Sequence, residues 1–428
     1  MGWYQLLDTD AAKWVTLAVF IVTFAFILYR RFNIAYVALT AAGAVILLGV
    51  VSPADALFKG INWDVLAIYW GFAILAFALR ESQVPAWIAN EVLARTGKEK
   101  YAILFLCAIA MVLSCFIANP EVVLILAPLA FALADKMNGD IFTYMIALAI
   151  SSNVVTTVTM VADPPALIMA GETGMSFFEF YWFQDKLSLG TISVVGILAA
   201  LAVLYWQFRR MNKKIEIERE NVKVTYGPMA LFVVSVAALA FIPWDSLGPW
   251  NHRGLVGLVL GVMCLALARK QAVAWLKEFD WKSIFFLMGI FMLIYGVNSV
   301  GLLEDFASLL INTGLSSPTI YLAILVWVSV LLSSFIDNVP YTVIMLPVCA
   351  FLAQSLGVSP FPFYFGVLIG TGMGGNLTPV GATANVLACG MLEKRNCAID
   401  LGKYIKIAWP FTIAAVLASH ILLQIIWL

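Results

Sequence analysis

Apolar residues fall in long unbroken runs along this chain, at residues 14–29, 34–51, 65–79, 189–208 and 408–428 among others, with polar residues gathered between them. A bilayer span needs about 20 mostly apolar residues, and only helices or closed barrels satisfy their backbone there. Continuous runs, without polar residues at every second place, predict helices and exclude a barrel. The expected fold is an all-α membrane protein of about ten to eleven spans. Residues MGWYQLLDTDAAKW carry acidic groups and no small-residue cleavage pattern, so the run 14–29 is expected to stay as the first span.

Two runs break in the middle. Residues 101–135 are apolar around Ala118-Asn119-Pro120-Glu121, with Lys98 and Lys100 before them and Lys136 after. Each arm is at the short limit for a span, and basic residues at both ends belong on one side, which predicts a re-entrant hairpin. Residues 318–355 break in the same way at Asp337-Asn338-Val339-Pro340. After each hairpin comes a second interruption: Asp163-Pro164-Pro165 within 140–171, and Gly372, Gly374 and Gly375 with Asn376, Thr378, Pro379, Thr383 and Asn385 within 361–392. Proline cannot continue a helix, and backbone freed at that depth is tolerable only beside a cavity.

These interruptions belong to a duplication. NWDVLAIYWG aligns with DWKSIFFLMG, matching Trp63 to Trp281 and Gly71 to Gly289; SCFIANPEVVLILAP aligns with SSFIDNVPYTVIMLP, matching Asn119 to Asn338 and Pro128 to Pro347. An odd number of reversals separates the copies, so they are inverted-topology repeats, each with a re-entrant hairpin and an unwound transmembrane helix. The expected organisation is N-terminal spans at 1–60, repeat 1 at 61–208, a charged linker at 209–226 (beginning RRMNKKIEIERENVKV) and repeat 2 at 227–428. Inverted repeats with broken helices point to a secondary transporter that binds its solute near the membrane midplane.

Composition agrees: 63% of residues are hydrophobic and 12% charged, with zero net charge, which offers nothing to nucleic acid. With the N-terminus outside, 21 of the 25 basic residues fall on the cytoplasmic side and only Lys13, Lys59, Lys186 and Arg253 outside. The six cysteines form no CxxC spacing and read as buried core residues. His252 and His420 are isolated, so no HExxH zinc site exists. Asp163 with Asp337 lacks the glycine setting of an intramembrane aspartyl protease, and no enzyme is expected.

Charged groups inside a membrane mark function. Glu121, Asp163 and Asp337 are the candidates for ion coupling, Asp337 foremost, with capping of the following helix as an equal alternative for Asp163. Asn119, Asn338, Asn376, Thr378, Thr383 and Asn385 supply oxygen and amide groups for a solute, and Asn119, Asn338 and Asn376 are candidate sodium ligands. No cofactor is expected; the coupling ion is H+ or Na+. The acids sit at non-equivalent places, and the second broken helix is richer in glycine and polar groups, so the second half is expected to carry more of the binding.

At ADPPALIMAG with the following SFFEF, at SSFIDNVP and at GGNLTPVGATANVLACG, the chain resembles the arsenite permeases and sodium/proton antiporters (the ArsB and NhaD type) of the ion-transporter superfamily, which also holds divalent-anion/sodium symporters and silicic-acid efflux carriers. The resemblance covers the chain from about Trp63 onward. It implies elevator-type transport of a small inorganic or organic solute by a homodimer in the plasma (inner) membrane. Proton-coupled antiport of an arsenite- or silicic-acid-like weak acid or oxyanion comes first, then sodium/proton exchange or sodium-coupled anion symport. The family's Gly-Asp-Pro-Pro-Asn pattern is altered here to Ala162 and Ala166, and the acid that often follows the hairpin asparagine is displaced to Glu121 by Pro120.

Overall fold

The computed structural model describes residues 9–29, 31–161, 163–214, 223–242, 252–311, 317–336 and 338–428. Asp337, Ala162 and residues 215–222 of the expected linker lie outside the described residues. The chain is all-α. The only sheet among the described residues is a hairpin, β1 (Trp182–Phe183) and β2 (Lys186–Leu187), with Trp182 opposite Leu187.

Among the described residues, nine principal helices precede the linker: α1 (Thr9–Tyr29), α2 (Ile34–Leu47), α3 (Trp63–Ser82), α4 (Val84–Leu93), α5 (Glu99–Ser114), α6 (Asn119–Met137), α7 (Ile141–Asn153), α8 (Pro164–Thr173) and α9 (Leu189–Phe208). The same order follows it: α10 (Gly227–Phe241), α11 (Gly254–Ala268), α12 (Trp281–Ser299), α13 (Leu302–Ile311), α14 (Pro318–Ser333), α15 (Asn338–Leu356), α16 (Phe361–Gly374), α17 (Thr383–Lys394) and α18 (Leu401–Trp427). A short helix, Ala272–Glu278, precedes α12. Among the described residues, seven helices are long and apolar enough to cross a membrane, and four more are apolar but shorter.

The duplication reaches individual contacts. Asn62 caps α3 by accepting from the Val65 amide, and Asp280 caps α12 by accepting from that of Ser283. The Trp63 indole donates to the Leu57 carbonyl at 2.9 Å, and the Trp281 indole to that of Leu276 at 2.7 Å. Pro128 and Pro347 stand inside α6 and α15 at matching places.

Packing then exchanges between the halves. Helix α3 lies against α11, and α12 against α2. A side chain at Gly71 would overlap the Gly257 backbone, and one at Gly289 the Ala38 backbone, so both crossings depend on a missing Cβ. These helices form a central frame. Arg80, near the end of α3, meets Glu278 just before α12, so the equivalent helices run in opposite directions. The remaining helices pack as hairpins and half-helices: α5, α6 and α7 together, α14 to α16 together, and α9 against α18. Across the halves, α6 packs on α17 and α15 on α8.

Candidate functional site

Each repeat delivers two helix N-termini to one place. In the first hairpin, α5 ends at Ser114, and after a turn α6 restarts at Asn119; Pro120, in the first turn, has no amide to leave unsatisfied there. Helix α7 ends at Asn153, and after an unwound stretch α8 starts behind Asp163, whose extended backbone (φ −145°, ψ 139°) turns the chain into the Pro164-Pro165 start. The second half repeats this. Helix α15 begins at Asn338, α16 unwinds through a 3-10 turn at Gly375–Leu377, and α17 starts behind Ala382 with nearly the same backbone (φ −134°, ψ 143°). Gly381 allows the unwound strand to lie against the Gly375 and Ser334 backbones, where a Cβ would collide.

All four N-termini line one cavity of about 360 Å³, through Ala118–Glu121, Asp163 and Pro164, Asn338 and Val339, and Gly381–Ala384. Tyr69, Ala73, Ala76 and Phe77 of α3 form one wall, with Glu278–Asp280 and Ser283 at the start of α12. Helix N-termini carry unsatisfied amides and about half a positive charge each, which suits an anionic or oxygen-rich group.

Beside the cavity, buried amides form a chain across both repeats. Asn119 donates to Asn153 at 3.4 Å; Asn153 donates to the side-chain oxygen of Asn376 at 3.1 Å; Asn385 donates to the same oxygen at 3.2 Å. Asn376 in turn donates to the Ile150 carbonyl at 2.9 Å. Among the described residues, the side-chain oxygens of Asn119 and Asn385, and the hydroxyls of Ser114 and Thr156, are buried with no hydrogen-bond partner. Such groups are costly to bury unpaired.

The sequence candidates separate accordingly. Asn119, Asn376 and Asn385 meet in the amide chain. Asn338 accepts from Ser333 at 2.5 Å, Ser333 donating also to the Thr371 carbonyl; this pairing ties hairpin to broken helix. Thr378 donates to the Ser334 carbonyl, and Tyr404 of α18 donates to the Asn376 and Thr378 carbonyls at 2.9 Å each. Thr383 lines the cavity at the start of α17. Glu121 stands at the cavity mouth, 3.2 Å from Arg80. Asp163 lines the cavity as the residue before α8, without a side-chain bond to that helix's amides.

Sequence reading did not single out Asn153, the link between the halves, nor Thr159. Thr159 had a signal: it stands 44 residues after Cys115, to whose carbonyl it donates, as Thr378 stands 44 after Ser334. Among the described residues no cluster of His, Cys, Asp and Glu could hold a metal ion.

The chain is similar to known proteins. A transporter of Mycobacterium bovis named as uncharacterized is 26% identical over 433 residues, covering 97% of both chains. A Synechocystis transporter, also named as uncharacterized, is 24% identical over 82% of this chain and 83% of its own. The P protein of Mus musculus is 24% identical over 87% of this chain and 55% of its own. In fold, the crystal structure of the Alcanivorax borkumensis YdaH transporter aligns with a TM-score of 0.55 at 15% identity, covering 97% of each chain. Neisseria gonorrhoeae MtrF, described with antimetabolite efflux pumps, aligns at 0.50 and 12%, also over 97% of each. At the level of an ion-transporter-like permease these agree with the resemblance carried by the motifs; they give no specific arsenite-permease or sodium/proton-antiporter assignment. The protein is a multi-pass membrane transporter and not an enzyme, and since the family model for citrate transporters (CitMHS) matches residues 21–370, the chain belongs to that family.

Proposed function

We propose that this protein is a cation-coupled secondary carrier of a small oxyanion, a carboxylate in preference to an inorganic acid, working by an elevator-type movement. The observation that carries this reading is the meeting of four half-helix N-termini in one cavity beside unpaired buried oxygens. The first element binds negative charge and the second binds a cation, so each ligand would improve the site for the other. Family membership supports a carboxylate. An uncharged arsenite- or silicic-acid-like solute makes less use of the converging dipoles. Asn119, Asn376 and Asn385 serve the cation where it is Na+. Thr383 and the amides behind Asn119, Pro164 and Asn338 serve the anion. Asp163 and Asp337 remain candidates for proton coupling. By the basic-residue distribution, the cavity opens to the cytoplasm from a plasma-membrane carrier with its N-terminus outside, and a homodimer is the expected assembly.

Sodium/proton exchange is the second reading. It is favoured by the acidic lining, since Glu121, Asp163, Glu278 and Asp280 all border the cavity. Proteoliposomes of purified protein decide between them. Saturable uptake of radiolabelled citrate or succinate driven by an imposed sodium or proton gradient is expected. Proton-driven arsenite or silicic-acid flux, or sodium/proton exchange without carboxylate, would replace the proposal.

A further inference from the structure

The charged groups at the cavity mouth come from two bodies. Arg80 belongs to α3 and Glu278 to the short helix before α12, both in the central frame, and they pair through two parallel bonds of 2.8 and 2.9 Å. The same Nη1 also donates to Glu121 at 3.2 Å. Glu121 lies in the first turn of α6, at the tip of the first hairpin. One guanidinium therefore serves two carboxylates, one fixed beside it in the frame and one carried by the hairpin. The bidentate pair is the stronger partner by geometry. The single, longer bond to Glu121 is the exchangeable one. The Arg80 and Glu121 side chains are about one-fifth exposed, at 22% and 19%, so their contact is less screened than a surface pair.

We propose that Arg80 is a positioning residue that latches the first hairpin tip to the frame while the cavity is open at this end, with Glu278 setting the strength of the latch by competing for the same Nη1. Movement of the hairpin along α3 must pull Glu121 away from Arg80. Glu278 stays behind to keep the guanidinium paired, and Glu121 must then find water, a proton or a cation. At the opposite end of α3, Arg253 of the frame donates to the carbonyls of Gly174 and Met175, just beyond α8. The moving elements of the first half are thus tied to the frame at both ends, and the inner tie is the one whose partner is ionisable.

The proposal rests on the elevator reading, and its test is independent of substrate. Ala118→Cys, exposed at the cavity wall, is placed in the full chain in sealed vesicles of both orientations and labelled with a membrane-impermeant maleimide, the native protein giving the background. Glu121→Gln removes the latch, so labelling from the cavity face should fall about three- to fivefold, the range of a partly exposed ion pair, and labelling from the other face should rise. Arg80→Gln should act in the same direction. Glu278→Gln leaves Arg80 to Glu121 alone and should raise labelling from the cavity face. Unchanged labelling in Glu121→Gln, or a change of one sign in all three variants, overturns the latch. Labelling from one face only, in every variant and under every gradient, would instead overturn the elevator reading.

Discussion

The two hairpins share a sequence frame and a backbone yet treat their asparagines differently. In the second half, Ser333 donates to Asn338, and the hydroxyl also reaches the broken helix, so the hairpin turn is internally satisfied. In the first half, the equivalent Ser114 hydroxyl and Asn119 oxygen have no partners among the described residues, and Asn119 turns instead toward Asn153. The second half contributes Asn385, whose place in the first half is taken by Ala166, yet the amide chain is anchored equally on Asn153 and Asn376. Duplication thus built the framework, and divergence made one half the closed, self-bonded partner and the other the open one. The second half, expected to carry more of the binding, brings Asn376 and Asn385, while the first holds most of the buried oxygens without partners among the described residues.

Substitutions can break this comparison at several strengths. Asn376→Ala should have the largest effect, because it removes the oxygen that accepts from both Asn153 and Asn385. Leaving buried donors unpaired costs about 1–3 kcal/mol each, so flux in proteoliposomes should fall about a hundredfold and the melting temperature in detergent should drop. Gly71→Ala and Gly289→Ala test the frame, whose two crossings are related by the repeat. Both should destabilise by about 1–3 kcal/mol through overpacking, read by thermal melting, and a loss in only one would show that the frame is not energetically symmetric. Asn385→Ala makes the second half resemble the first. It should weaken the apparent affinity for the coupling ion about tenfold, roughly 1.4 kcal/mol, and lower the melting temperature less than Asn376→Ala, because it removes the donor to Asn376 and Gly375 but leaves the Asn153 bond to Asn376 in place. Smallest should be Thr159→Val and Thr378→Val, each removing one hydroxyl-to-carbonyl bond between hairpin and broken helix, at about 1 kcal/mol. Equal melting losses would confirm that these two threonines, each 44 residues after the carbonyl it bonds, are counterparts.

Much of this was legible in the sequence because membranes force local solutions. A helix must satisfy its own backbone, so an interruption such as Ala118-Asn119-Pro120-Glu121 or Asp163-Pro164-Pro165 announces a cavity before any contact is known. The repeat was legible through Trp63 and Trp281, whose indoles make the same bond. Pairing across the halves was not, since nothing in the sequence says that α3 lies against α11 or that Arg80 meets Glu121, 41 residues away. Asn153 escaped notice because it closes an apolar helix and precedes the visible break by ten residues. Its significance comes from distance to Asn376, which only the fold supplies. No Lys or Arg stands within the hairpin tips or broken helices themselves, yet a guanidinium reaches the first tip from a neighbouring helix. Charge inventories of a segment do not include what packs against it.

The exchange of α2 and α11 between the halves also bears on how the chain is made. When α3 leaves the ribosome, its partner α11 lies about 190 residues further on, beyond the whole first hairpin and broken helix. Until then the Gly71 surface has only lipid or the insertion machinery to face, and association of the two crossings must wait for synthesis of the second half. The same interlocking means that two halves cut within the linker and produced as separate polypeptides would each carry an unfilled groove for the other, so reassembly in the membrane is built into the topology.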